Sequence, residues 1–227
     1  MGSEDLMAEG RAERADAARN RRAILLATEE LLARHRPEQI SMEQVATAAG
    51  VGKGTVFHRF GSRLGLMLAL MQERALALNE AVTSGPPPLG PGAAPRERLL
   101  AFLDGVVDVV SRNKGLLAAL GHAATTTHRQ DEEGGEGGEH PTYHFWHDHV
   151  SGLITEAGPG LDADLLAHVL LGALQSSPVL NLLKQGEGKR LSDALRTLTT
   201  SLLDAPGHQT RKRTRSPETA SKSDQIA

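Results

Sequence analysis

Three observations on these 227 residues predict an all-α fold. Apolar side chains recur at i, i+3, i+4 and i+7 in most stretches that hold them, the period of one helix face. No stretch alternates apolar and polar residues as a half-buried strand does. Proline and glycine clusters interrupt the stripes where helices must stop, most densely in SGPPPLGPGAAP (84–95).

Composition narrows the setting. The chain has no cysteine, so it has neither a disulfide framework nor thiolate chemistry. No apolar run reaches the roughly 18 residues a membrane span needs. The N-terminus carries Glu4, Asp5, Glu9, Glu13 and Asp16 in place of an apolar signal core. A soluble, cytoplasmic protein is expected. The net charge of −3 hides an asymmetry. The stretch from Arg19 to Arg63 is basic by +4, whereas residues 81–204 are acidic by −6. One basic segment in an acidic protein points to a single polyanion-binding face.

Taken in order, residues 1–18 are polar and read as a flexible arm or as a helical extension of the first apolar stripe. That stripe, at Ile24, Ala27, Leu31 and Leu32, makes the first helix, with Arg21 and Arg22 at its front and Pro37 at its end. Ser41 followed by Gln44 is a capping box that opens a second helix, with Met42, Val45, Ala46 and Ala49 inward. Gly50 suits the left-handed residue that closes it. A second short helix runs from about Gly52 to Phe60, with Val56, Phe57 and Phe60 inward. Lys53, Thr55, His58 and Arg59 are then left outward. Gly61 and Ser62 break and re-cap the chain into a long helix ending near Thr83. Two short helices joined by a glycine-bearing turn are the shape that places the second one in a DNA groove.

The proline-rich stretch 82–95 is a domain boundary. Beyond it the pattern predicts helices over Arg96–Arg112 and Gly115 to about Ala124, then a mobile acidic loop at 129–140. Helices are expected again from Tyr143, over Asp162–Gln175 and over Gly188–Leu203. The tail from 205 to 227 reads as disordered.

The joint spacing of SMEQVATAAGV and GKGTVFHRFGSR within residues 19–81 resembles the DNA-binding domain of the TetR (tetracycline-repressor) family of bacterial regulators. The match covers a little over a quarter of the chain. The resemblance implies a two-fold dimer bound to a palindromic operator and released when a small molecule enters the C-terminal domain, most often as a repressor. It implies DNA contact by Arg22, Ser41, Met42, Gly52, Lys53, Gly54, Thr55, His58, Arg59 and Arg63. Ser41 and Met42 bring the free backbone N–H groups of a helix start to a phosphate. Gly52 and Gly54 let the backbone approach, Lys53 and Thr55 meet phosphate, and His58 or Arg59 reads a base. Two departures stand out. Phe57 takes a position where the family often has Tyr, and Leu64-Gly65 replaces an acidic pair.

In residues 96–204 we expect an apolar ligand cavity lined by Phe102, Val106, His122, Trp146, His147, Leu153 and Leu174. Aromatic residues are only 3% of the chain, which favours a mainly apolar ligand over a flat cationic one. Leu165, Leu166, Val169, Leu170 and Leu174, with Leu191, Leu195, Leu198 and Leu202, are apolar enough for a four-helix homodimer interface. Seven of the ten histidines fall between His122 and His168. His140, His144 and His147 share helical spacing, but no ligand motif accompanies them, so no metal site, cofactor or catalytic residue is assigned. The alternatives are a metal-sensing regulator or a metal-dependent enzyme using these histidines.

Overall fold

Helical periodicity is obeyed throughout the computed structural model, which describes residues 3–120 and 141–205 and has no strand among them. The N-terminal half consists of α1 (Ser3–Leu32), a 3-10 turn (Pro37–Gln39), α2 (Met42–Ala49), α3 (Lys53–Phe60) and α4 (Arg63–Ser84). The C-terminal half consists of α5 (Pro95–Leu120), α6 (Pro141–Ala157), α7 (Ala163–Ala173), α8 (Ser177–Lys184) and α9 (Gly188–Asp204).

Each half has its own core. Ile24, Val45, Val56, Leu66, Met67 and Leu70 form the first. Leu99, Phe102, Val106, Val150, Leu170 and Leu174 anchor the second. Two helices belong to both: Leu78 and Val82 of α4 enter the second core, and Leu116 of α5 enters the first. The α5 helix is the hub, touching α4, α6, α8, α9 and the 3-10 turn. Trp146 of α6 donates its indole N–H to Asn79 Oδ1 of α4 at 2.8 Å, a second link between the halves.

The structure corrects several boundaries. Residues 3–18 continue α1 and do not form a separate arm. The first helix stops at Leu32, before Pro37, which instead opens the 3-10 turn. The two helices expected between Arg96 and Ala124 are one through Leu120, because Gly115 is tolerated inside a helix that tertiary packing holds. The α8 helix is absent from the sequence pattern, where Pro178 reads as a breaker. Proline is acceptable in a first helical turn, and here it lies at the start of α8. The expected loop at 129–140, the helix end at 121–124 and the tail from 206 lie outside the described residues.

One polar cluster ties the halves together. Arg74 of α4 is only 8% exposed. Its Nε and Nη2 donate to the two carboxylate oxygens of Glu29 on α1 at 2.6 and 3.0 Å. Its Nη1 donates to Asn113 Oδ1 on α5 at 3.1 Å, and Asn113 Nδ2 donates to Met71 O at 3.4 Å. Arg112 adds a second cation 3.9 Å from Glu29. Burial pushes the Glu29 carboxyl up, but the Arg74 hydrogen bonds and the charges of Arg74 and Arg112 outweigh it, leaving the group below its ordinary range.

A Glu29→Ala protein leaves a buried guanidinium without its counter-charge. We expect a loss of about 2–4 kcal/mol, somewhat under the range for a fully buried pair because the Glu29 side chain is 31% exposed. Since the folded carboxyl is depressed, its contribution is complete above the unfolded value near 4.5 and fades as pH falls through the folded value. Urea unfolding at neutral and acid pH checks this: the Glu29→Gln protein should lose less stability on acidification than the parent, and identical acid limbs would refute it.

Candidate nucleic-acid interface

The α2–turn–α3 unit is built by local chemistry. Gln44 N–H donates to Ser41 Oγ at 3.2 Å, and Ser41 N–H donates to Gln44 Oε1 at 2.8 Å, so the capping box forms in full. Gly50 closes α2 at φ 65° and ψ 29°, the left-handed region a side chain disfavours. Val45, Ala46 and Val56 are buried, which locks the angle between the two helices. Lys53, Gly54 and His58 face outward on α3, Gly52 is exposed at its N-cap, and Thr55 is half-buried at its first turn. Ser41 is exposed at the start of α2, and Arg22 is exposed on α1.

Several expected contact residues have other engagements. Met42 is buried, so only its backbone N–H at the head of α2 can meet a phosphate. Lys53 Nζ lies 3.2 Å from Glu43 Oε2, an exposed pair in which solvent screening makes the attraction weak. Arg63 donates from Nη1 to the backbone O of Glu38 at 3.0 Å, so one arm of its guanidinium bridges α4 to the 3-10 turn. Arg59 is half-buried and its Nε lacks a hydrogen-bond partner. Arg21, counted in the basic stretch, lies over the Phe60 ring at 5.5 Å and steadies the end of α3.

The inward placement of Phe57 is wrong. Its side chain is 42% exposed, because one residue beyond buried Val56 the helix has turned by about 100°. The sequence signal is the family's frequent Tyr at this place, which needs an outward side chain.

Gly65 also has a physical reason beyond the loss of an acidic pair. Its N–H donates to Ser62 Oγ at 3.0 Å, the cap of α4. A Cβ built there would lie 2.2 Å from the backbone O of Phe60, and backbone cannot rotate aside. Alanine in a helix gains up to about 1 kcal/mol over glycine. The forced displacement should outweigh it, so Gly65→Ala is expected to lower stability by roughly 1–3 kcal/mol. A thermal melt showing equal or greater stability than the parent would overturn this.

In the C-terminal half the expected lining residues separate. Phe102, Val106, Leu153 and Leu174 are buried in one core at 0–3% exposure. Trp146 meets Phe102 edge-on at 6.2 Å. His147 does not face this core: it turns to Asp164 and His168 of α7. His122 lies outside the described residues. Sequence reasoning misses His149, whose ring sits 4.8 Å from Phe102 with an unpartnered, buried Nε2. Burial, with the Arg98 charge, holds its imidazole below the ordinary range against the opposing charge of Glu156. Its spacing from Trp146 and Leu153, i+3 and i−4, is the available clue.

The leucine-rich faces also divide. Leu170, Leu174 and Leu195 are buried within the chain, so they are not free for a partner. Leu165, Val169 and Leu198 remain exposed at 57, 54 and 48%. Among the described residues no single helix is long and apolar enough to cross a membrane; α7 and α8 together reach that apolar length, but with a 49° bend.

A capped two-helix unit packed between α1 and α4, joined to a second helical bundle, defines a helix-turn-helix fold. Residues 24–70 match the family described as bacterial regulatory proteins, tetR family, so this N-terminal unit is similar to that family's domain. Solved structures share the overall fold. A TetR-family transcriptional regulator from Rhodococcus sp. matches at TM-score 0.53 and 21% identity, over 82% of this chain and 99% of that one. FadR from Bacillus subtilis in complex with stearoyl-CoA matches at TM-score 0.50 and 16% identity, over 81% of this chain and 98% of that one. The fatty acid degradation regulator FadR from Bacillus halodurans matches at TM-score 0.50 and 16% identity, over 82% and 95%. At these identities the likeness concerns the fold. No curated protein matches the sequence.

Proposed function

We propose that the chain is a cytoplasmic, homodimeric transcriptional regulator that represses by binding a palindromic operator and lets go when a small, mainly apolar molecule enters the C-terminal helices. The observation that carries this reading is the capped α2–α3 unit, with α3 and its N-cap presenting Gly52, Lys53, Gly54 and His58 to solvent. In the bound complex α3 lies in the major groove and the heads of α2 and α3 meet phosphates. Lys53 leaves Glu43 for a phosphate oxygen, a cheap exchange for an exposed pair. His58 and Arg59 read base edges, and exposed Phe57 lies against a thymine methyl or a sugar in place of a tyrosine hydroxyl bond. Arg63 acts chiefly through the Glu38 carbonyl, holding the 3-10 turn beside the duplex. Chemistry here is recognition and not catalysis.

The ligand reading draws on the core among α5, α6 and α7, where His149 brings an unpartnered nitrogen into an otherwise apolar cluster around Phe102. The stearoyl-CoA in the Bacillus subtilis structure of like fold is one example of a ligand with a long apolar part. Because Phe102, Val106, Leu153 and Leu174 are buried in one continuous core, a ligand enters by parting that core. That displacement must move α5, whose far end reaches the DNA-binding half.

The test is competition binding on duplexes taken from the DNA flanking the protein's own gene, repeated with candidate apolar molecules. A specific duplex should survive an excess of unrelated DNA; equal competition by unrelated duplexes would sink the reading. Lys53→Ala should weaken all duplexes alike and make the salt slope shallower by about 0.9. His58→Ala or Arg59→Ala should shift preference at one base pair by about 1–3 kcal/mol.

Dimerisation has its own readout. Val169→Asp puts a charge on an exposed apolar face of α7 without touching the core. Light scattering should find the parent dimeric and the variant monomeric, with weaker operator binding because one half-site remains. A parent that is monomeric at micromolar concentration would remove the dimer from the proposal.

A further inference from the structure

The histidines of α6 and α7 form a cluster that DNA binding does not use. The α6 helix carries Tyr143 and His147 four residues apart, one turn along a single face, and α7 carries Asp164 and His168 at the same spacing. The two helices pack together and the pairs meet between them. His147 Nε2 stands 3.5 Å from Asp164 Oδ1 and 3.2 Å from the Asp164 backbone O. The rings of His147 and His168 lie 4.1 Å apart. One potential ligand atom from each of His147, Asp164 and His168 falls within 4.8 Å of the others. One remaining ring nitrogen is held from outside: His168 Nδ1 is 2.8 Å from the Tyr143 hydroxyl, whereas His147 Nδ1 lies 3.6 Å from Asp148 Oδ1, just beyond hydrogen-bond reach.

We propose that His147, Asp164 and His168 bind a divalent transition-metal ion of the zinc class, bridging α6 and α7. In a tetrahedral zinc site with bonds of about 2.0–2.2 Å, neighbouring ligand atoms lie about 3.4 Å apart. The His147–Asp164 separation already fits that spacing. Asp164 and His168 are exposed, so their side chains close the remaining gap by small rotations. With the His168 Nδ1–H directed to Tyr143 Oη, and the His147 Nδ1–H turned toward the Asp148 side, both Nε2 lone pairs are left for the ion. Such outer partners fix the tautomer and aim of ligating histidines. At His147 the Nε2–H tautomer that points at the Asp164 oxygens gives way to the Nδ1–H tautomer when the ion binds, with no net release of a proton. Two imidazoles and one carboxylate suit zinc, cobalt or nickel better than calcium or magnesium, and the fourth position goes to water. This ligand set differs from the His140–His144–His147 series that sequence spacing suggests, because two of its three ligands come from the facing helix.

The experiment is titration of the chelator-treated full chain with Zn2+ by calorimetry, with metal content measured after dialysis and Co2+ as a spectroscopic stand-in. The parent should retain at least one ion per chain. His168→Ala and Asp164→Asn, at exposed positions, should each retain one fewer or bind at least about tenfold more weakly, and should lose the visible Co2+ bands. His144→Ala should bind as the parent does. Far-UV circular dichroism confirms that the variants remain folded. Absence of stoichiometric uptake, uptake unchanged in both His168→Ala and Asp164→Asn, or loss of the ion in His144→Ala would each overturn the proposal. No DNA enters the titration, so its failure leaves the regulator reading standing, and failure of DNA binding leaves this one standing.

Discussion

A buried guanidinium is the constraint around which the two halves of this protein are arranged. Arg74 is nearly sealed from water, and a cation in that position must be matched by charge and by acceptors. Glu29 supplies the charge from α1, and Asn113 supplies a further acceptor from α5. Asn113 in turn spends its own N–H on the Met71 carbonyl. Three helices are thereby held in one register, and none can slide by a turn without leaving a polar group unpaired in the interior. Hydrophobic packing alone would set the distance between these helices while leaving their register loose.

That register gives α5 its place as mechanical link. Phe102 in the C-terminal core and Asn113 at the polar cluster are eleven residues apart, about 16 Å along the helix axis. A shift imposed on α5 at Phe102 would therefore bear on Arg74, which Asn113 holds, and through α4 on its first turn. There Ser62 caps Gly65, and the Phe60 carbonyl sits against the place where a side chain would be. The end of α3 and the start of α4 are thus in close backbone contact. The contacts form a contiguous route from the core that would admit a ligand to the helix that would meet DNA, and operator release by a ligand needs such a route or a change in dimer geometry.

Local chemistry is legible in the sequence and tertiary choices are less so. The Ser41–Gln44 box, the left-handed Gly50 and the Ser62 cap are each written within four residues, and each forms as expected. Phe57 is misplaced by the pattern because a short helix with three apolar residues does not itself say which of them faces the core. The break expected before Gly115 and the unexpected helix after Ser176 share a related cause. Glycine and proline signal local preference, and burial of Val109 and Leu116 on one side, or Leu183 on the other, overrides it. The leucines expected together at a partner interface divide by burial, which periodicity cannot reveal when a helix is apolar on more than one face.

The α7 helix shows how such a many-sided helix is used. Ala167, Leu170 and Leu171 face the chain's own core. Leu165 and Val169 lie exposed on another side. Asp164 and His168 form a third edge, toward α6. A residue pattern with one periodic stripe would satisfy only the first of these demands. The near-continuous apolarity of ADLLAHVLLGA comes from serving a core and an exposed apolar face together, and its two polar residues stand four apart because they share the one remaining edge. An ion held there would fix α6 against α7, and α6 reaches α4 through Trp146 and Asn79. The same helix that leaves its outer face exposed would then also be tied, through one neighbour, to the scaffold of the N-terminal half.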